Sequence, residues 1–373
     1  MRNFNRKKVI GWFIAALVLI GIIATNVYQQ QRIEKTEKPV VKIGVTLPLT
    51  GSMARLGQQA KKAVDLRISE VPSDSRFEYK VLFEDDQLQS SKEFTNAQKL
   101  INFNNVDVMI SGFSGGASAI AGLADKAKVV YWNFQWTDEI VKTSPYAFTY
   151  NQMPKDVVKL WLDTAYQKGL RKIAIVNNET HAGGEYVISA AEELLPNYPE
   201  MEIVSIERVP LFGSDLRTTL LKMNAQKPDI YLSVLLAPTF DEFAQKMKEQ
   251  NITTPISSIN RFEHAKNKEL FEGNWGVGAN DYHSDFFAKY QKKYMEEISS
   301  EMAPYIYDVV DVIIKAYEIN EHKANGKELS QELLKMKNYQ GGFGTIISDE
   351  NGIFHIPVVV GTMKNGQFVA NEE

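Results

Sequence analysis

A strand, loop and helix unit in residues 40–71 limits the folds open to this chain, because the same unit then recurs along the sequence. Val40–Leu47 is a short β-branched run with the length of one buried strand. Pro48, Gly51 and Gly57 break this run into a loop, and apolar residues then return at helical spacing up to Val71. Repeated β-α units with short connections predict a mainly parallel sheet, and open sheets of this kind bind ligands at the carboxyl edge of their strands.

The β-α pattern restarts near residue 150, which indicates two α/β lobes of similar build. The chain has 373 residues, more than a single hydrophobic core usually serves. Helical patterns and two further strands, joined by the turn signal D-E-N-G, complete the sequence after residue 273. We predict that residues 41–150 and 280–340 form lobe 1, and that residues 151–279 and 341–373 form lobe 2.

The amino-terminal residues differ from the rest of the chain. A basic stretch, residues 1–8, precedes an apolar run over residues 9–28 that is long enough to cross a bilayer as a helix. The basic flank predicts a cytoplasmic amino end and an exported remainder. A cleaved signal peptide is the alternative, although the cleavage pattern near Ala24 is poor. Residues 29–40 are predicted to be a polar tether.

Composition excludes several classes of site. The formal net charge is −4, and no patch interleaves basic with aromatic residues, so nucleic acid is not an expected partner. The chain contains no cysteine, which excludes disulfides, thiolate metal sites, a cysteine nucleophile and a lipidated amino-terminal cysteine. Five scattered histidines show no metal-binding spacing, and we expect no metal and no cofactor.

Several loop motifs occur in a specific order along the chain. They are K-I-G-V, P-L-T-G and L-G within residues 42–57, D-D at 85–86, the glycine- and serine-rich residues 111–121, K-P-D-I-Y at 227–231, and G-G-F-G followed by D-E-N-G in residues 341–352. This order resembles the extracytoplasmic solute-binding proteins of the branched-chain amino acid (leucine-binding) group, which have the type I periplasmic binding fold and serve ABC transporters. The resemblance covers residues 41–365.

The resemblance implies a fold and a mechanism of ligand binding. Two Rossmann-like lobes would be joined by three crossovers, here near residues 150–154, 276–280 and 341–342, and would close on a small-molecule ligand by hinge motion. The closed protein would dock on the permease subunits of an ABC transporter. The protein would therefore act outside the cytoplasm and would not be an enzyme.

The resemblance also implies a ligand-binding loop after the third strand, where a serine hydroxyl and backbone amides at a helix amino end hold an anionic group. The matching residues are Ser114, Gly115 and Gly116. A tight turn without a ligand is the alternative interpretation. The next loop carries Phe134, Gln135 and Trp136 where the family has small residues. These side chains either present aromatic faces to the ligand or pack in the core or between the lobes.

From the second lobe, the resemblance implies an aromatic side chain at the position of His181 and a carboxylate near residues 260–261. This chain has Asn260 and Arg261 there and no acid. His181 could replace the aromatic contact. Arg261 would favour a second carboxylate or another anion through bidentate pairing, so an α-amino acid is not the default ligand. Solvated loop residues are the alternative for both positions.

Two other functions are compatible with the sequence. Residues 112–116 also satisfy G-x-S-x-G, the nucleophile elbow of hydrolases, with Ser114 as the nucleophile. Its candidate partners are Asp281 with His283, His322 or His355, but no H-G-G-G-type oxyanion loop precedes the elbow. A ligand-sensing ectodomain that partners a membrane receptor is the other alternative.

Overall fold

In the computed structural model, two mixed β-sheets, each flanked by helices, form two lobes. The structure describes residues 38–112, 115–179, 181–212, 215–260, 262, 265–279, 285–298, 302–320, 322–342 and 344–371. The predicted membrane span, residues 9–28, lies outside these ranges. Within them, no helix is both long enough and apolar enough to cross a membrane.

The strands are numbered in chain order. They are β1 (Val40–Leu47), β2 (Glu78–Asp85), β3 (Val108–Ser111), β4 (Val130–Asn133), β5 (Ala147–Asn151), β6 (Lys172–Asn178), β7 (Glu202–Val209), β8 (Ile230–Ser233), β9 (Ile256–Ile259), β10 (Trp275–Ala279), β11 (Asn338–Gly341), β12 (Gly344–Ser348), β13 (Ile353–His355), β14 (Val358–Lys364) and β15 (Gln367–Ala370). The first sheet has the order β11-β12-β13-β5-β4-β3-β1-β2, and the second has the order β15-β14-β10-β9-β8-β6-β7.

The α-helices are numbered in the same way. They are α1 (Ala54–Ser69), α2 (Ser90–Asn102), α3 (Ala117–Ala127), α4 (Glu139–Thr143), α5 (Pro154–Gln167), α6 (Ala182–Leu194), α7 (Leu216–Asn224), α8 (Thr239–Glu249), α9 (Asp285–Tyr294), α10 (Met302–Ile319) and α11 (Gly326–Lys335). Short 3₁₀ turns cover Leu195–Asn197 and Lys268–Phe271.

The first lobe is built on parallel pairing of consecutive β-α units. Strand β1 pairs with β2 on one side and with β3 on the other, and β4 and β5 follow in the same direction. The inward residues of β1, such as Ile43 and Val45, are fully buried against apolar residues of α1 and α10. The predicted parallel sheet is therefore present, and antiparallel strands extend it only at the β11–β12–β13 edge.

The second lobe repeats this construction with its own cores on both faces of the sheet. On one face, Trp161 of α5 stacks on Trp275 of β10, with ring centroids 5.5 Å apart. The indole Nε1 of Trp161 donates a hydrogen bond of 2.7 Å to Oγ of Ser257. On the other face, Phe240 stacks on Phe271 at 4.3 Å. The second sheet thus buries both of its faces, as parallel strands require.

The predicted position of the third crossover is wrong. Gly341 and Gly342 lie at the turn of the β11–β12 hairpin, and the chain stays in the first sheet through β13. Strand β13 pairs parallel to β5, which buries Phe354 against Trp132 in the first core. Residues 341–355 therefore belong to the first lobe. The chain crosses at residues 356–357, before β14 pairs with β10. The other two crossings, by sheet membership, fall at residues 152–153 and between β10 and α9.

Candidate functional site

The candidate site lies where the carboxyl ends of the parallel strands meet the hinge. In the first lobe, loops follow β1 to β4 at this edge, and in the second lobe loops follow β6 to β9. Two contacts bring these edges together. Trp136, after β4, packs on the core of the second lobe. Asn260, after β9, donates a hydrogen bond to Gln152 in the first crossover. Open α/β sheets place ligands at this edge.

Asp85, at the end of β2, fixes the loop that follows β1. Its carboxylate accepts hydrogen bonds from the backbone amides of Leu49 (2.9 Å) and Thr50 (3.2 Å) and from the Thr50 hydroxyl. Burial opposes ionisation of this carboxyl, but its hydrogen bonds outweigh burial and hold the pKa of Asp85 below its ordinary value. The two amides are thus already bound to protein, so this loop forms a fixed wall of the site.

The loop after β3 is packed against the start of α2. Gly115 is exposed and Gly116 is buried, whereas Ser114 lies outside the described residues. A Cβ on Gly116 would lie 2.5 Å from Oε2 of Glu93, and one on Gly115 would lie 3.4 Å from Oγ of Ser90. Close approach of α2 therefore gives a reason for glycine at position 116 that is independent of any ligand.

The loop after β4 carries the bulky residues that the sequence singles out. Phe134 is only 6% exposed, and its ring packs against Tyr305 with centroids 6.2 Å apart. The backbone amide of Gln135 donates to Oδ1 of Asn133 at 2.8 Å, and Gln135 itself is half-buried. Trp136 is also half-buried and packs on the second core. Phe134 thus packs in the first core, and Trp136 packs on the core of the second lobe.

A series of hydrogen-bonded side-chain amides joins the loop after β4 to the second lobe. Asn151 donates from Nδ2 to the carbonyl of Phe134 and accepts at Oδ1 from the backbone amide of Gln152. The side-chain oxygen of Gln152 accepts in turn from Nδ2 of Asn260. Gln152 is fully buried and Asn260 is 5% exposed. Sequence reasoning missed both partners, because amides in a crossover and after a strand carry no motif of their own.

In the second lobe, His181 ties the loops after β6 and β8 together. Its Nδ1 lies 3.0 Å from the carbonyl oxygen of Val234 and 3.1 Å from Oδ1 of Asn177. Because a carbonyl only accepts, we assign a hydrogen to Nδ1. Asn178 adds a second tie by accepting from the backbone amide of Leu236 at 2.8 Å. His181 thus lies at the predicted edge, and Arg261 lies outside the described residues.

The two described histidines of the hydrolase hypothesis make other contacts. His322 is 70% exposed, and its Nε2 lies 3.3 Å from Oε2 of Glu328 near the start of α11. Nδ1 of His355, at the end of β13, lies 2.7 Å from Oδ2 of Asp156 in the first turn of α5. Ser114, Asp281 and His283 lie outside the described residues.

His355 connects the first and third crossovers electrostatically. Its Nε2 also lies 3.7 Å from Oδ2 of Asp349 in the first lobe, so the imidazole stands between one carboxylate from each side of the hinge. Burial opposes protonation, but Asp156 and Asp349 outweigh it and hold the pKa of His355 above its ordinary value. When the imidazole is protonated, its attraction to both carboxylates therefore links the hinge segments.

His355→Gln should remove a pH-dependent part of the stability. A raised pKa means that the native state holds a proton that the unfolded chain has released, so this contribution is complete below the unfolded pKa and is lost as pH rises through the folded pKa. We expect His355→Gln to cost roughly 1 kcal/mol at pH 5.5 and close to nothing at pH 8.5, as measured by urea unfolding. His322→Gln, in the exposed pair, is the matched control. An equal loss at both pH values would contradict the charge-based role.

The chain matches known proteins in sequence and in fold. A sequence profile of the family described as "Periplasmic binding protein" matches residues 40–367. Among curated proteins, the chain is 21% identical over 223 residues to the Leu/Ile/Val-binding protein homolog 7 of Brucella suis biovar 1 (strain 1330), which covers 56% of this chain and 55% of that protein. The chain thus aligns with about half the length of this curated relative.

Solved structures share the fold. One is the ABC transporter solute-binding protein from R. palustris in complex with 4-hydroxybenzoate, with a TM-score of 0.75 and 20% identity over 90% of this chain and 96% of that one. Another is the branched-chain amino acid transporter substrate-binding protein from Streptococcus pneumoniae in complex with isoleucine, with a TM-score of 0.72 and 19% identity over 88% and 97% of the two chains. Since the profile match runs through both lobes and all three crossings, this chain belongs to the periplasmic binding protein family.

Proposed function

We propose that this protein binds a small organic solute outside the cytoplasm and delivers it, unaltered, to the permease of an ABC transporter. The observation that carries the proposal is the family match over residues 40–367, which spans both lobes and the hinge between them. The similar structures were solved with 4-hydroxybenzoate and with isoleucine, so amino acids and aromatic carboxylates are the ligand classes to test first.

The proposed ligand site lies between the strand-end loops of the two lobes. Its proposed residues are Ser114, Gly115, Gly116, Phe134, Gln135, Trp136, His181 and Arg261. The hinge contacts support this placement, because Trp136 and the Gln152–Asn260 pair hold the two edges next to each other. The loop ties made by Asp85 and His181 support it as well, since a preorganised site loses less entropy on binding.

The proposed location depends on the amino-terminal residues. A helix over residues 9–28 would anchor the protein to the outer face of the cell membrane, with residues 29–40 as the tether. Fractionation of cells that make the full chain tests this point. We expect the protein in the membrane fraction, released by detergent and not by high salt. A fully soluble and shortened mature chain would favour a cleaved signal peptide instead.

A thermal-shift screen tests the binding function. The panel contains amino acids, hydroxybenzoates, dicarboxylates and short peptides, with neutral sugars as a control class. A solute that binds only the native state stabilises it by about 2.7 kcal/mol at a hundredfold excess over its Kd, which gives a clear rise in Tm. We expect such a rise for at least one charged organic solute. No shift across the panel, together with labelling by a serine-reactive phosphonate, would overturn the proposal.

A further inference from the structure

A buried side-chain amide in the hinge makes only part of its hydrogen bonds. Gln152 follows β5 and precedes α5, so it lies in the first crossover, and it is 0% exposed. Its backbone amide donates to Oδ1 of Asn151 at 2.8 Å, and its Oε1 accepts from Nδ2 of Asn260. Its Nε2 has no hydrogen-bond partner among the described residues.

Such an arrangement is unfavourable unless another molecule completes it. A buried amide group that lacks a partner has lost its hydrogen bonds to water and gained none in return, and most buried polar side-chain atoms in proteins do have a partner. Turning over the amides of both Gln152 and Asn260 would leave Oε1 of Gln152 unpaired in place of Nε2. In either arrangement, one polar atom of the Gln152 carboxamide lacks a partner.

The position of this carboxamide indicates that the partner is a bound solute. Strands β5 and β9 run parallel to their neighbours β4 and β8, and Asn260 directly follows β9. The bond between Gln152 and Asn260 therefore joins the carboxyl ends of one strand from each sheet. Asn151 connects the same point to the carbonyl of Phe134 in the loop after β4. Because open α/β sheets bind ligands at this edge, Gln152 lies at the base of the candidate site, between its two halves.

We propose that Gln152 is a ligand-binding residue of this site and that its Nε2 donates a hydrogen bond to an oxygen atom of the bound solute. This inference rests on the proposed solute-binding function and adds a contact from the hinge to those proposed for the loops. An amide N–H group binds a carbonyl, hydroxyl or carboxylate oxygen, whereas an ammonium group offers it no acceptor. The end of the solute that faces the hinge therefore carries an oxygen.

Calorimetric titration of Gln152→Met tests the inference, because this substitution removes the donor and keeps the length of the side chain. The probes are isoleucine, 4-hydroxybenzoate and the solutes that raise Tm in the thermal-shift screen. We expect the affinity of the tightest of these probes to fall at least tenfold. The Tm of the ligand-free variant should stay within about 2 °C of the wild-type value, because the loss of the bond to Asn260 is offset by removal of an unpaired donor.

Gln250→Met is the matched control. Gln250 follows α8 near the amino end of β9, on the far side of the second sheet from the candidate site. Both polar atoms of its carboxamide also lack a partner among the described residues. Since no solute reaches this edge in the proposed mechanism, Gln250→Met should change every Kd by less than twofold.

Three results would overturn the inference. Unchanged affinity of Gln152→Met for the tightest probe would show that water, and not the solute, completes the carboxamide. Weaker binding with a Tm lowered by more than about 2 °C would show that Gln152 only holds the hinge to Asn260. An equal loss of affinity in Gln250→Met would show an effect that is not local to the hinge.

Two further measurements keep the test decisive. If Gln152→Met does not fold, Gln152→Leu also removes every polar side-chain atom, and the same comparison applies. If the wild type binds no solute of the whole panel, the proposed function is refuted and this inference with it, whereas wild-type binding that Gln152→Met retains refutes the inference alone.

Discussion

Asp308→Asn is expected to stabilise the protein by about 3 kcal/mol at pH 8, although it removes a native charge. Asp308 of α10 is 1% exposed, and its Oδ2 accepts hydrogen bonds from the Tyr150 hydroxyl and from the backbone amide of Gly342 (2.7 Å). Burial raises its pKa from 3.8 to about 7 despite these donors. At pH 8 the native state therefore carries a poorly solvated anion, whereas asparagine keeps an oxygen for both donors.

The pH dependence of this stabilisation follows from the raised pKa of Asp308. Between about pH 4 and pH 7 the native protein holds a proton on Asp308 that the unfolded chain has released, so stability falls as pH rises through this window. The difference between a pKa of about 7 in the native state and 3.8 in the unfolded chain corresponds to about 4 kcal/mol. Asparagine has no proton to lose, so the variant should show a flatter stability profile over this range. Guanidinium unfolding at pH 4.5 and pH 8 measures both quantities.

Asp311, one turn further along α10, provides the matched control, because we expect Asp311→Asn to lower the stability that Asp308→Asn raises. Its Oδ1 accepts from Nε of Arg67 at 2.7 Å, and its Oδ2 accepts from the Tyr339 hydroxyl. Burial opposes ionisation, but Tyr339, Lys315 and Arg67 hold its pKa below the ordinary value. Asp311→Asn should cost about 3 kcal/mol at pH 8, because it leaves a buried guanidinium without its counter-ion. Destabilisation by both variants would contradict the assignment of Asp308.

Gly57→Ala is the second large effect that we expect, with a loss of about 3 kcal/mol. A Cβ at this position would lie 2.2 Å from the carbonyl oxygen of Pro48 and 2.7 Å from its carbonyl carbon. Because these are backbone atoms, no rotamer change relieves the clash. Helix α1 or the loop after β1 must move. Chemical unfolding measures the loss, and solute affinity should fall too, since that loop is a wall of the candidate site.

Gly122→Ala is the control for this prediction. Gly122 lies within α3. Among the described residues, and apart from its chain neighbours and its own helix backbone, no atom lies within 4 Å of the place that its Cβ would occupy. Alanine there should stabilise the protein by about 0.5–1 kcal/mol, through better helix propensity and a less flexible unfolded chain. If both glycine variants are neutral, the close packing of α1 on the loop after β1 is not rigid.

The hinge shows which features of the fold a local sequence pattern can predict and which it cannot. The restart of the β-α pattern near residue 150 predicts the first crossing, because a change of lobe there coincides with a change of element. The pair Gly341-Gly342 predicts a chain reversal, and the structure places one there, but as a hairpin turn. A turn signal reports local backbone geometry only. Whether the next strand pairs in one sheet or the other depends on contacts such as Phe354 with Trp132, which are distant in sequence.

The candidate site also combines a feature that the sequence pattern predicts with one that it does not. The spacing in α2 predicts an apolar stripe of Phe94, Ala97, Leu100 and Ile101. In the structure, Glu93 is buried in that stripe and Phe94 is only partly buried. A small rotation of the helix can bury a residue that lies next to the apolar stripe. The charge of such a residue, taken alone, predicts that it is exposed to solvent. The pattern of apolar residues therefore does not predict that Glu93 is buried.

The class of the protein can be predicted from the chain alone: alternating β-α units, two lobes, and polar loops at the carboxyl ends of parallel strands. These features follow from hydrophobic periodicity and turn chemistry, which act over a few residues. The folded chain was needed to show which strands share a sheet, which amides join across the hinge, and which carboxylates are buried. These features depend on packing between segments that lie tens to hundreds of residues apart in the sequence. Such packing produces no periodic pattern of residues along the chain.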